Sequence, residues 1–329
     1  MTRSEKADCV KLQHCSAHAH HAGKNIWAVA TSESNPGLWK IATGGADGST
    51  MLDDVALGPR ADSSNSFEEF HLQSGVGSNS AITNNKGDAF RAYAFVDSTF
   101  LLVTTNEGHV LHLNRTEDDL SNTQKGRLLG TFDDLRGYAI AVGAPRLGLA
   151  FFAGASGIIR CYERSTNTVH HLDTIEPKIA ALFSDVHMEE DSLPLVNLLV
   201  TRLGRAPVYY LISKSENSDL EVRSRVVLDT MPAGVMITSF LRVPISNNEG
   251  VLIMGTRSGS LCIMRLFKPR SQSLDEAEAI NVKPAKSEID VGDDVHGREA
   301  VTSLQWLRDA SNPTGRAGYL LSVGRDGKF

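Results

Sequence analysis

A strand–turn–strand unit recurs along this chain, and it limits the possible folds more than any other feature. A β-branched and aromatic run is followed by a second apolar run, a short turn closing on glycine, and a third run. The first copy reads IWAVATS, LWKIATGGADG, STMLDD, starting at Ile26. The second reads RAYAFVDS, FLLVTTNEG, HVLHLN; the third, YAIAVGA, GLAFFAGASG, IIRCYER. A later copy reads MITSFLRV, GVLIMGTRSG, SLCIMRLF, and the last AVTSLQW, GYLLSVGRDG, KF. The turn glycines are Gly48, Gly108, Gly157, Gly259 and Gly327, preceded by Asp47, Glu107, Ser156, Ser258 and Asp326. Glycine takes positive φ without a Cβ clash, and a short polar neighbour can bond back to the backbone, so these pairs predict hairpins. A weaker fourth copy (KIAALFSDV, LVNLLVTRLG, PVYYLIS) has lost the polar residue at its turn, Leu203-Gly204-Arg205.

Few helix-length amphipathic stretches separate the runs. Strand follows strand, which predicts an antiparallel all-β chain and not a βαβ one. Units of roughly 40–45 residues with four short strands are the signature of β-propeller blades. The expected fold is therefore a β-propeller of about five complete blades plus a truncated sixth, near 21–57, 86–135, 136–175, 176–230, 235–268 and 296–329. Residues 1–20 form a polar lead expected to pack poorly. The stretches 58–85 and 269–295 read as long loops, with a short helix over Ser273–Ile280 capped by Ser273. A sixth blade cut short implies an open or gapped arc, and a chain that is one piece of a longer protein. Trp27 and Trp306 are expected at equivalent first-strand positions, in the core between blades.

The first and last copies share a more specific pattern. His21 is followed by Thr43 and Asp47, and His296 by Ser322 and Asp326. In both, the hydroxyl residue lies four positions before the aspartate, and the histidine 26 or 30 positions before it. This resembles the WD-repeat family, in which such residues form a buried hydrogen-bond chain completed by a tryptophan in the third strand. Here Asp53 stands at the tryptophan's place in the first copy. Three segments resemble one group within that family: HAGKNIWAVA…IATGGADGSTMLDD, AYAFV…LLVTTNEGHVL and AVTSLQW…LLSVGRDGKF. That group comprises large WD-repeat proteins that partner the tRNA 2′-O-ribose methyltransferase of the anticodon wobble nucleotide. The resemblance implies a non-catalytic scaffold whose partner is the methyltransferase catalytic subunit, with tRNA contacted mainly through that partner. A general WD-repeat adaptor in protein degradation or trafficking is the alternative.

Composition narrows the rest. Net charge is −6, and no Lys/Arg run exceeds a pair, which disfavours strong non-specific nucleic-acid binding. At 6% aromatic, the chain has few rings for stacking on bases. No apolar run approaches the roughly 20 residues that span a bilayer. With no visible secretory signal, Cys9, Cys15, Cys161 and Cys262 are expected to be free thiols in a cytoplasmic protein.

Candidate chemistry is thin. His14, Cys15, His18, His20 and His21 crowd together, but not at a zinc-finger spacing. His109, His112, His170 and His171 read as partly exposed strand residues. The two His/hydroxyl/Asp sets resemble catalytic triads, yet a set duplicated in two repeats is better explained as architecture, and no GxSxG elbow occurs. GGADGST and GTRSGS lack phosphate-loop spacing. No catalytic residue, cofactor or metal is expected, and the apolar first strands argue against a catalytic centre on them.

Overall fold

Nearly every apolar run of the sequence becomes a strand. The structure, a computed structural model, describes residues 26–35, 38–45, 49–56, 67–71, 88–114, 127–187, 194–214, 220–229, 231, 234–246, 249–267, 281–284, 295–308 and 318–326. Sheet one holds β1 (Ile26–Asn35), β2 (Leu38–Gly45), β3 (Ser49–Ala56) and β4 (Phe67–His71). Sheet two holds β5 (Phe90–Phe95), β6 (Phe100–Thr105), β7 (His109–Asn114) and β8 (Arg127–Thr131). Sheet three holds β9 (Ala139–Ala144), β10 (Leu149–Gly154), β11 (Ile158–Glu163) and β12 (Thr168–Thr174). Sheet four holds β13 (Ile179–His187), β14 (Leu195–Arg202), β15 (Arg205–Lys214) and β16 (Leu220–Val227). Sheet five holds β17 (Ile237–Ser246), β18 (Glu249–Thr256), β19 (Leu261–Phe267) and β20 (Asn281–Pro284). Sheet six holds β21 (Val301–Arg308) and β22 (Gly318–Gly324).

Within each sheet the strands pair in chain order, all antiparallel. Between sheets, first strand meets first strand: β1 touches β5, β5 touches β9, β9 touches β13, β13 touches β17 and β17 touches β21. The sheets therefore stand side by side around their first strands, an arrangement compatible with a β-propeller-like fold. Among the described residues, no comparable contact joins β21 to β1.

The middle sheets bury both faces, which is why their strands read as continuous apolar runs and not as alternating ones. All six residues of β10 are buried. Phe151 packs with Leu198, Val200 and Tyr210 toward sheet four, while its neighbour Phe152 packs with Leu102 and Val110 toward sheet two. Tyr209 and Tyr210 divide in the same way between sheets five and three. Each such large side chain, fully buried, contributes about 1.5–3 kcal/mol by leaving water. The outermost sheets are less covered. Val29 on β1 is 60% exposed, and Tyr319 on β22 is 71% exposed.

Three sequence expectations need correction. The stretch 58–85 contains β4, and 269–295 contains β20, so neither is wholly loop. Each pairs with a third strand and completes four: β3 with β4, and β19 with β20. Trp27 and Trp306 are not equivalent. Ile26 lies opposite Gly45 and Val301 opposite Gly324, so Trp27 matches Thr302, and Trp306 sits four residues further along its strand. Residues 1–20, His21, Asp47, Gly48, Gly327 and the helix over 273–280 lie outside the described residues.

Candidate interaction site

The hairpin turns and the strand entries meet at one end of the sheets. The N–H of the first turn residue donates to the carbonyl just ahead of its own sheet's first strand. Asn106 donates to Ala89 at 2.7 Å, Leu203 to Lys178 at 2.9 Å, Arg257 to Met236 at 2.8 Å and Arg325 to Ala300 at 3.0 Å. The turn glycine's carbonyl accepts from the segment that leaves the fourth strand: from Phe132 to Gly108 and from Ile175 to Gly157, both at 2.9 Å. Neighbouring sheets are joined there too, because Gly137 donates to Asn106 and Lys178 to Ala155. Gly108, Gly157 and Gly259 have φ of +82°, +96° and +88°, and a Cβ on any of them would strike a carbonyl oxygen of the crossing segment. These glycines are thus required twice, by conformation and by space. The degenerate fourth turn is a tight Leu203-Gly204 connection, with φ of +66° at Gly204.

His296 enters this end of the molecule between β20 and β21 and is 2% exposed. Its Nδ1 lies 2.9 Å from Asp326 Oδ1, and its Nε2 lies 2.9 Å from Ser322 Oγ. The network assigns the proton to Nδ1, so that Nδ1–H donates to the carboxylate while Ser322 O–H donates to Nε2. Gly324 makes room: a methyl group there would overlap the His296 ring and the Asp326 carboxylate. A substrate cannot reach an imidazole this enclosed, so the set ties β22, its turn and the incoming segment together. Of the first-copy set, Thr43 is described and lies on β2; His21 and Asp47 are not.

Sheets two and five solve the same problem differently. Thr105 and Thr256 stand where Gly324 stands in sheet six. Thr105 Oγ1 accepts the His109 N–H, and Thr256 Oγ1 accepts the Ser260 N–H. Sheet two adds a set that the spacing patterns missed. Asp88 accepts the Glu107 N–H at 2.9 Å and lies 3.9 Å from His109 Nε2, while His109 Nδ1 meets Thr131 Oγ1 at 2.9 Å. Its members come from a strand entry, a third strand and a fourth strand, so no short sequence phrase encodes them.

The same end carries a concavity. A cavity of about 520 Å³ is bordered by residues of β1, β5, β9 and β13, with Val29, Arg91, Tyr93, Tyr138, Ile140 and Leu182 on its walls and alanines between them. Arg91 is held by Asn106, whose Oδ1 accepts from Nε at 2.9 Å and from Nη2 at 2.5 Å. Tyr138 spans two sheets by donating its hydroxyl to the Ala180 carbonyl at 3.0 Å. It is 38% exposed, and its pKa is raised by partial burial. Other hydroxyls bridge first strands in the same manner. Ser184 donates to the Gly143 carbonyl, and Thr238 and Ser239 donate to that of Val301.

At the opposite end, titratable groups are consumed by structure. Glu163, with a fully buried side chain, accepts from Lys214 at 2.8 Å and from Ser165 at 2.5 Å. Burial alone would raise its pKa, but the bonds from Lys214, Ser165 and Thr166 outweigh that and hold it below the ordinary carboxylate range. His112 stacks on Phe100 at 4.5 Å and leans against Tyr162. Burial first, and Arg127 second, lower its pKa to about 4. His170 and His171 are exposed on β12. Cys161 is a buried free thiol. Among the described residues no cluster of His, Cys, Asp or Glu is arranged to hold a metal ion, and no helix is long and apolar enough to cross a membrane.

No model of a known protein family matches this chain, and no curated protein matches it.

Proposed function

We propose that this chain is a non-catalytic scaffold of WD-repeat β-propeller type. We further propose that it is the subunit that enables a separate methyltransferase to methylate the 2′-O of the tRNA wobble nucleotide. The observation that carries the scaffold reading is the His296–Ser322–Asp326 set, closed at 2.9 Å on both sides of the imidazole within a succession of four-stranded antiparallel sheets. Among the described residues, the His296 imidazole has both ring nitrogens bonded inside the architecture, and a rigid array of turns at one end is what recognition uses. The partner assignment rests on the three sequence segments quoted above. In that role the chain positions tRNA against the partner's active site, and the methyl donor binds the partner.

The test is reconstitution. The methyltransferase, unmodified tRNA and methyl donor are combined with and without this protein, and 2′-O-methylation at the wobble nucleotide is read by mass spectrometry of nuclease fragments. Methylation that requires both proteins supports the proposal. Methylation by this protein alone refutes the non-catalytic reading, and methylation indifferent to it refutes the partner assignment.

A further inference from the structure

We propose that copies of this chain associate head to tail, the outer face of sheet six on one copy docking on the outer face of sheet one on the next. The assignment does not depend on the methyltransferase reading and rests on the register of the sheets. Each sheet has a trailing face toward the sheet before it and a leading face toward the sheet after it. Where sheets five and six meet, the leading face presents Leu241, Val243, Val251 and Ile253, and the trailing face presents Leu304, Trp306 and Leu320. Val243, Val251 and Ile253 are 5%, 8% and 5% exposed.

The same positions recur in sheet six, where they are bare. Ile237 lies opposite Thr256 and Val301 opposite Gly324, and both pairings continue after the same one-residue shift. The pair Val243–Val251 therefore matches Leu307–Tyr319, and Leu241–Ile253 matches Gln305–Leu321. Leu307 and Tyr319 are 43% and 71% exposed. Sheet one shows the converse. Ile26 lies opposite Gly45 with the same shift, so Val29, Thr31 and Ile41 hold the positions of Leu304, Trp306 and Leu320. Val29 is 60% exposed, Thr31 is exposed and Ile41 is half-buried.

Exposed apolar side chains that adjoin one another mark surfaces where proteins meet, and tyrosine is enriched there. The molecule itself specifies the occupant. Each of its five junctions is filled by one apolar cluster between the leading face of one sheet and the trailing face of the next. Sheet six offers an uncovered leading face and sheet one an uncovered trailing face, the two halves of one more such junction. Among the described residues, β21 and β1 of one copy make no comparable contact. A second copy brings the missing half to each flank. Leading face against leading face occurs at none of the five junctions. A contact that runs one way is heterologous, and it continues into a ring or an open row of copies.

The test is sedimentation velocity of the full chain over a dilution series reaching about 100 μM, enough to fill a contact of micromolar strength. Wild type should form dimers and then larger species as concentration rises. Val29→Glu and Tyr319→Glu place a carboxylate on each face at sites 60% and 71% exposed, where folding is spared. Each variant alone should associate at least about tenfold more weakly. Mixed in equal amounts, the two should form a one-to-one dimer and nothing larger, because the first keeps its sheet-six face and the second its sheet-one face. If circular dichroism shows that either variant has lost its sheet content, Val29→Thr and Tyr319→Ser take their place with the same outcomes expected. A wild type that stays monomeric overturns the proposal, as does association untouched by either substitution. Association that stops at a dimer, is lost in both variants and is not restored by mixing them reveals a two-fold contact and overturns the head-to-tail arrangement.

Discussion

Replacing Asp326 by alanine strips the acceptor from a histidine that has nowhere else to turn. His296 is 2% exposed, so its Nδ1–H cannot recover a bond from water. A buried donor left unsatisfied costs about 1–3 kcal/mol. Whole domains are stable by only about 5–15 kcal/mol, so the loss is large in proportion. The damage should centre on sheet six, where the chain ties Ser322 on β22 to the turn. Trp306 packs there against Val251 and Ile253 and reports on that sheet once Trp27 and Trp39 are replaced by phenylalanine. Urea unfolding followed by Trp306 emission should show Asp326→Ala destabilised by about 1–3 kcal/mol. Asp326→Asn should lose less, since the amide oxygen still accepts the Nδ1–H. The cycle of His296→Ala, Asp326→Ala and the double variant should show coupling above about 0.5 kcal/mol. Additive effects, or a change in Asp326→Ala too small to measure, would refute the claim that this bond holds the sheet.

Other outcomes follow from neighbouring geometry. Gly324→Ala forces a methyl group into the His296 ring and should destabilise by about 1–3 kcal/mol, as overpacking does, with Trp306 emission again the measure. Gly157→Ala, at φ +96° against the Ile175 carbonyl, should cost more than about 1 kcal/mol by thermal melting, while the exposed Gly204→Ala, with open space around it, should cost less. Glu163→Gln should destabilise by about 1–3 kcal/mol at neutral pH, because Lys214 loses its charged partner. Since the Glu163 pKa is lowered on folding, that difference is present above the ordinary carboxylate pKa and should vanish as pH falls through the folded value, as paired denaturation curves would show. His112 is shifted down from 6.5 to about 4, so the unfolded chain binds its proton first on acidification. The stability difference between wild type and His112→Phe should therefore move against the wild type as pH drops from 6.5 toward 4.

The sequence made some of this architecture legible and hid the rest for physical reasons. Strands buried on both faces, such as LAFFAG and LVNLLVTR, announce themselves as apolar runs, and the glycines that must take positive φ mark where they turn. FEEFH and NVKP do not: they are short outer strands whose pairing is set by a neighbour's edge and not by their own apolar content. Trp306 shows a different limit. Composition placed a tryptophan on each of two first strands, but only register against the second strand shows that they occupy different levels. Of the site, the His296 set was legible because a hydroxyl residue four positions before a turn aspartate, with a histidine upstream, occurs in both the first and the last copy. The Asp88–His109–Thr131 set and the walls of the cavity were not, since each draws single residues from separate strands that only the stacking of sheets brings together.

That stacking also sets how the molecule comes apart. A sheet flanked by two others is clamped on both faces, whereas sheets one and six each have one described neighbour. Such an array behaves as a row of coupled units, its stability divided between each unit and the junctions it shares. Amide protons of β10 and β14 should exchange slowest, those of β1 and β22 soonest, with a graded series between. Pulled or warmed, the chain should peel inward from its flanks and leave the third and fourth sheets as the last part standing.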